Sequence, residues 1–365
     1  MNRDENAARV VEARCLADLS VEDHAWLFHA RAQSCKPGTT KQGKPYYQLE
    51  LADETRTLDA KIWSDKAEAM KNASALQPGA IVKVIATAEE YEGKLQLKIE
   101  RIKATSRAEE PDLDMSLLVD PGLALVEDLA CKTLVIDIET VPAHDRDDLP
   151  KSVEDALAKH VQRKDTASSS DELNARIAMS MGLSPLFGKV VSIALGDGED
   201  PNAEVHVLAV PNEKFPVTDP PKWLRLMSEE DLLRSFWALA CKAEVVVTFN
   251  GRSFDVPFLM GRSIALGVPA RRDLLSSRWS LKPHLDLYEV LRQGDKAPSK
   301  LDVICWALGI ESPKEDMDGS KVAPTYARGD IVKIAEYNRH DVRATAEVYR
   351  KVRDTVLRYS KDWAQ

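Results

Sequence analysis

Lys132-Thr-Leu-Val-Ile-Asp-Ile-Glu-Thr140 decides the class of the larger part of the chain. A run this rich in Leu, Val and Ile reads as a strand buried on both faces of a sheet. Two carboxylates interrupt it, Asp137 and Glu139, and the two-residue period of a strand puts both on one face. At about 3.3 Å of rise per residue they lie close enough to share a cation, and like charges at a strand end are costly unless something positive neutralises them. Oxygen ligands with no accompanying His or Cys cluster select Mg2+ or Mn2+ over zinc.

A D-x-E pair alone is a weak signal, and two later stretches strengthen it. Val245-Val-Val-Thr-Phe-Asn250-Gly-Arg252-Ser-Phe254-Asp255-Val-Pro-Phe-Leu259 reads as a strand, a tight Asn-Gly turn and a helix that stops near Gly267. Asp255 falls at that helix start, where an isolated Asp is an ordinary cap or dipole partner. Ile334-Ala-Glu-Tyr337-Asn-Arg-His-Asp341-Val-Arg-Ala-Thr-Ala-Glu-Val-Tyr349 has helical periodicity, and the four-residue spacing sets Tyr337 and Asp341 on one face. Further strand-like stretches at 190–195, 205–209 and 245–249, with helical stretches after Ser228 and Asp255, make this part α/β. Residues 141–187 are charged and Ser-rich at Ser168-Ser-Ser170, and helical pieces flanking the site are expected there.

The N-terminal part reads differently. Strand-like stretches at 26–34, 46–52, 57–63, 81–88 and 94–102, with one helical stretch at 64–75, follow the order of an OB-fold, a barrel whose strand 2 and 3 face binds single strands. Lys41-Gln-Gly-Lys-Pro-Tyr-Tyr-Gln-Leu-Glu-Leu-Ala-Asp53 followed by Leu58-Asp-Ala-Lys-Ile-Trp63 resembles the signature of nucleic-acid-binding OB domains. Tyr46, Tyr47, Trp63 and Tyr91 are candidate stacking platforms worth ~1 to 3 kcal/mol per base. Tyr47 and Trp63 are taken as the nucleic-acid contacts. Alternation puts Tyr46 and Tyr47 on opposite faces, so at least one is expected in barrel packing, and Trp63 at a strand end suits packing as well as stacking. Residues 104–130, with acids and prolines, suit a linker with one short helical piece. The expected division is 1–105 for the barrel with its N-terminal extension, 106–130 for the linker and 131–365 for the α/β domain.

The three acidic motifs, D-x-E, N-x-x-x-F-D and Y-x-x-x-D, resemble in type and order those of the DEDD superfamily of 3'-to-5' exonucleases. The tyrosine-type branch is indicated, because Glu336 stands where the histidine type places its His and Tyr337 where the tyrosine type places its Tyr. Within it the chain is similar to stand-alone exonucleases related to the proofreading domain of family-B DNA polymerases. Ser184-Pro-Leu-Phe-Gly-Lys-Val-Val-Ser-Ile-Ala194, His284-Leu-Asp-Leu287 and Lys314-Glu-Asp-Met-Asp-Gly-Ser320 add to a likeness covering about 132–355.

The resemblance implies an RNase H-like α/β fold, a mixed sheet with flanking helices, preceded here by the small all-β OB barrel. It further implies a two-metal-ion site in which Asp137, Glu139, Asp255 and Asp341 hold two Mg2+ or Mn2+ and Tyr337 orients the attacking water. Asn250, Phe254 and Arg252 would contact the nucleic acid. The implied partner is single-stranded nucleic acid with a 3' end, DNA favoured and RNA the other candidate. An inactive nucleic-acid-binding or scaffold protein on the same fold is the competing reading, and the presence of all four acids and the tyrosine counts against it. The short stretch after Asp341 leads us to expect no proofreading in cis.

Composition agrees with a globular, cytoplasmic protein. Over 365 residues, hydrophobic residues make up 44% and charged residues 30%, which excludes disordered and fibrous classes, and no apolar run reaches the ~20 residues of a membrane span. Five cysteines without a C-x-x-C pair argue for reduced thiols rather than disulfides or a zinc site. Net charge is -9, yet residues 251–300 carry nine basic against five acidic side chains, a candidate stripe for a polyanion or a solvated helical face. Phosphate-loop and dinucleotide glycine motifs are absent. His340-Asp341 resembles an HD phosphohydrolase pair, but the remaining histidines lack ligand spacing, and His284 with Asp286 suits structural hydrogen bonding.

Overall fold

A computed structural model of the full chain describes residues 9–106, 108–164, 169–276, 280–292, 300–311, 317–361 and 363. The chain divides into two compact units, with the break in sequence between Leu125 and Val126.

The first unit is a barrel of strands β2 (Ala25–Thr39), β3 (Pro45–Ala52), β4 (Thr57–Trp63), β5 (Ala80–Tyr91) and β6 (Lys94–Ala104), with β1 (Val10–Glu12) added beside β2. Strand order β1-β2-β3-β4-β6-β5 closes through a second pairing of β2 with β5. Helix α1 (Ala67–Ala73) sits between β4 and β5, as the OB order requires. Leu49, Leu51, Ala60, Ile62, Val82, Val84, Leu97 and Ile99, every second residue of their strands, fill the interior. On the outer side Gly38 of β2 lies opposite Tyr46 of β3, and the phenol ring rests on the glycine so closely that a Cβ at 38 would come within 2.5 Å of it. Residues expected to form a linker fold back on this unit: Arg31 Nη1 donates to Leu118 O at 2.8 Å and Lys83 pairs with Glu110 at 2.6 Å.

The second unit is built on β7 (Thr133–Pro142). Its antiparallel neighbour is β8 (Gly188–Asp197), reached through α2 (Lys151–Lys164) and α3 (Ser170–Gly182), the helical pieces expected in 141–187. Next follow β9 (His206–Ala209), β10 (Leu224–Leu226), α4 (Glu229–Lys242), β11 (Val245–Thr248) and α5 (Asp255–Leu266). After them come β12 (His284–Asp286), α6 (Leu287–Leu291), α7 (Leu301–Leu308), α8 (Gly319–Ala327) and α9 (Ile331–Thr355). The sheet runs β10-β9-β8-β7-β11-β12, antiparallel across β7-β8-β9 and parallel across β7-β11-β12. The edge strand β10 is too short for a period to show in the sequence. Val135 and Val141 of β7 join Val342, Val348 and Tyr349 of α9 and Val322 and Tyr326 of α8 in one core. The opposite face meets α3 and α5, where Thr140 Oγ1 donates to Gly182 O at 2.8 Å and Gly188 faces Phe258.

The five cysteines are free thiols. No described helix is long and apolar enough to cross a membrane. Of the basic side chains of 251–300, Arg262 and Arg272 are buried and Arg252, Arg271, Lys282 and Arg292 are half-buried. Arg262 pairs with Glu229 through two bonds of 2.8 Å, Arg272 donates to Ala240 O, and Arg252 Nη1 donates to Leu275 O at 3.0 Å. These three guanidiniums brace loops and helix ends; Arg278, Asp295 and Lys296 lie outside the described residues, as do Lys314, Glu315 and Asp316.

Candidate active site

Strand periodicity and one helix crossing assemble the site. Asp137 and Glu139 leave β7 on the side covered by α9, and α9 carries Asp341 down onto them. One carboxylate oxygen from each of these three residues lies within 4.8 Å of the others. Asp255 comes from the first residue of α5 and is buried. The reason is topological: β11 pairs with β7 only through Val135, and beyond that point the Ile138 N–H loses its strand partner and donates to Asp255 Oδ1 at 3.2 Å. A carboxylate takes over where a strand carbonyl leaves off.

The acids are held at an electrostatic cost. Burial first, then the charges of Asp255, Asp341 and Glu139, push the Asp137 carboxyl well above the usual range, opposed only by the Asn338 amide. Glu139 is raised by burial and by Asp341 and Asp255, with nothing opposing. Burial pushes Asp255 up to about 7 against its bond from Ile138. Buried carboxylates without a cationic partner are unfavourable as ions. Three carboxylate oxygens within a few ångström, with no sulfur or imidazole among them, make a donor set that fits a hard divalent cation. Burial and the neighbouring acids also raise the Tyr337 hydroxyl, which donates to Asp341, so this phenol stays protonated at neutral pH.

Asn338 and Ser192 join the site without belonging to any of the three acidic motifs. Asn338 is fully buried; its Nδ2 donates to Asp137 Oδ2 at 2.6 Å and its Oδ1 accepts from Ser192 Oγ at 2.7 Å. The signal for Asn338 was in the helix, since it stands three residues before Asp341 and shares its face. Ser192 is reached only through the register that sets it opposite Glu139.

The loop that delivers Asp255 is held by Asp286. The Asp286 carboxylate accepts from the backbone N–H groups of Asn250, Arg252 and Tyr288 at 2.8, 2.9 and 3.0 Å. Asn250 adopts φ +64 and its Oδ1 accepts from Ser253 Oγ at 2.8 Å. Gly251 packs so closely that an added Cβ would lie 2.5 Å from Thr248. Phe254 packs on Phe258, ring centroids 5.6 Å apart. Thus Asn250 and Arg252 are engaged in the loop itself, and Phe254 lies beside the acid it precedes. His284 is fully structural: its Nδ1 donates to Leu274 O, its Nε2 accepts from Thr248 Oγ1 at 2.8 Å, and burial lowers it to about 4. His340 pairs with Glu336 at 3.0 Å.

On the barrel, Tyr47 packs against the core while Tyr46 and Trp63 face outward as register partners, ring centroids 5.5 Å apart. Lys61 Nζ lies over both Trp63 and Tyr91, 5.7 and 5.3 Å from their centroids, and Lys98 stands beside Lys61 in register.

Comparison with known proteins agrees with this division. Residues 185–361 match a family described as a predicted 3'-5' exonuclease related to the exonuclease domain of PolB, and residues 25–104 match an OB-fold nucleic acid binding domain. A DNA polymerase of Pyrococcus glycovorans is 27% identical over 141 residues, 34% of this chain and 18% of its own length. The 3'-5' exoribonuclease YhaM of Bacillus subtilis is 32% identical over 89 residues, 24% of this chain and 27% of its own. The family B DNA polymerase of Pyrobaculum calidifontis aligns over 89% of this chain and 46% of its own at 13% identity and a TM-score of 0.39. The chain thus spans about a quarter or less of the length of these two curated relatives. It pairs a stretch similar to an OB-fold nucleic acid binding domain, residues 25–104, with a stretch similar to the predicted 3'-5' exonucleases related to the exonuclease domain of PolB, residues 185–361.

Proposed function

We propose that the protein hydrolyses phosphodiester bonds from the 3' end of single-stranded nucleic acid, with DNA favoured over RNA. The observation that carries the reading is the convergence of Asp137, Glu139 and Asp341 within 4.8 Å, with Asp255 bonded to the same strand. Asp137, Glu139 and Asp341 would ligate one Mg2+ or Mn2+, and Asp137 with Asp255 a second. A bound cation pair supplies Lewis acidity to the scissile phosphate and lowers the pKa of the attacking water. The chain's own residues do the rest. Tyr337, protonated and tied to Asp341, orients water instead of taking its proton. Asp286 fixes the turn that delivers Asp255. On the other unit Tyr46, Trp63 and Tyr91, with Lys61 and Lys98, supply base stacking and phosphate attraction suited to a single strand.

The longer of the two matched stretches, to a DNA polymerase, supports the DNA preference, whereas the relative named an exoribonuclease supports RNA as the second reading. The test is time-resolved degradation of 5'-labelled DNA and RNA oligonucleotides of one sequence with Mg2+ or Mn2+. A ladder shortening from the 3' end, lost in Asp137→Ala and Asp341→Ala, is the expected result. Full-length substrate persisting under all conditions would leave the competing binding-protein reading in its place.

A further inference from the structure

Asn338 does more than fill a gap in the core. It has 0% of its surface exposed, and it stands between a hydroxyl and a carboxylate with both ends of its amide engaged. Its orientation suits a ligand: an Asp137 carboxylate ionised to hold a cation accepts only, so Nδ2 faces it, and Oδ1 takes the Ser192 proton. The 2.6 Å bond engages Asp137 Oδ2 alone, and no described donor reaches Oδ1. Ser192 lies on β8 opposite Glu139, while Asn338 shares α9 with Asp341. The chain Ser192, Asn338, Asp137 therefore ties β7 and α9, which bear Asp137, Glu139 and Asp341, to the neighbouring strand β8.

We infer that Asn338, braced by Ser192, is the positioning residue that fixes the plane of the Asp137 carboxylate and presents its Oδ1 to the divalent cation. The inference rests on the proposed function for the identity of the cation site. Partners that orient a metal ligand in this way typically carry 10- to 100-fold of metal affinity. A purely structural asparagine would add stability to the fold and leave cation affinity untouched.

The experiment is a Mn2+ titration of the full chain, read as the rise in melting temperature and, independently, by calorimetry, with wild type, Asn338→Leu, Ser192→Ala and Ser263→Ala. Asn338→Leu keeps the branched shape and removes the bond. Ser192→Ala removes only the brace and serves if the leucine variant does not fold. Ser263 is a control, a buried hydroxyl of α5 that accepts from Trp237 Nε1 at 2.8 Å and lies outside the chain of bonds. The expected result is a half-saturation concentration raised about 10-fold or more in Asn338→Leu and less, in the same direction, in Ser192→Ala, with Ser263→Ala at the wild-type value. Unchanged half-saturation in both site variants overturns the inference. Mn2+ binding by a wild type that cuts no strand would refute the exonuclease reading and leave the role of Asn338 standing, and failure of the wild type to bind Mn2+ would overturn both.

Discussion

Asp255→Asn should make the metal-free protein more stable at neutral pH while removing activity. The buried Asp255 carboxyl rises from an ordinary 3.8 to about 7 in the folded chain. A folded-state value above the unfolded one means that its contribution is intact below about pH 4, is lost as pH climbs toward 7, and changes no further above that. Over the whole window the loss is on the order of 4 kcal/mol, a large fraction of a typical domain's stability. Asparagine has nearly the same shape, its Oδ1 still accepts from Ile138, and it cannot ionise. Urea unfolding with chelator present, from pH 5 to 8, should show the wild type weakening with pH and the variant falling less, with the variant ahead at pH 7.5. Raised values at Asp137 and Glu139 leave a residual slope in both proteins. Mn2+ at 100 times Kd should narrow the gap, since binding is then worth about 2.7 kcal/mol to the protein that retains its ligands. Parallel pH curves, or a variant weaker than wild type at pH 7.5 without metal, would refute the account of the site as a store of unneutralised charge.

Tyr337→Phe should lower kcat by about 10²-fold with KM nearly unchanged and no new alkaline limb in the pH profile, because the phenol positions and does not titrate; single-turnover cleavage measures this. Trp63→Ala should weaken capture of a 20-nucleotide single strand by roughly 1 to 3 kcal/mol in fluorescence anisotropy, with kcat on a trinucleotide unaffected. Arg262→Ala, which leaves the half-buried Glu229 carboxylate with the Val190 N–H but without its guanidinium, should cost roughly 3 kcal/mol in denaturant unfolding, whereas removing both partners together should cost less.

The parts of the site legible in the sequence are those whose spacing is local. D-x-E on an apolar strand, Asp255 at a helix start and Tyr337 four before Asp341 each fix a side chain relative to a neighbour within one element. Partnerships between elements left no such trace. Asn338 and Asp137 are 201 residues apart, and nothing in either neighbourhood encodes the bond between them. The basic residues of 251–300 suggested an outer face because charge is usually solvated, yet Arg262 and Arg272 are buried with partners contributed by α4. Tyr46 and Tyr47 illustrate the remaining limit. Alternation separates them, but which one turns outward depends on the phase of the barrel, set by Leu49 and Leu51 pointing in.

The seat of the Tyr46 ring on Gly38 makes the aromatic surface of the barrel a property of two strands at once. A methyl group at 38 would evict the phenol and disturb the adjoining indole without altering a single aromatic residue. On the proposed function, Gly38→Ala should weaken capture of long single strands and leave cleavage of dinucleotides unchanged, an effect on processivity originating at a residue that bears no side chain.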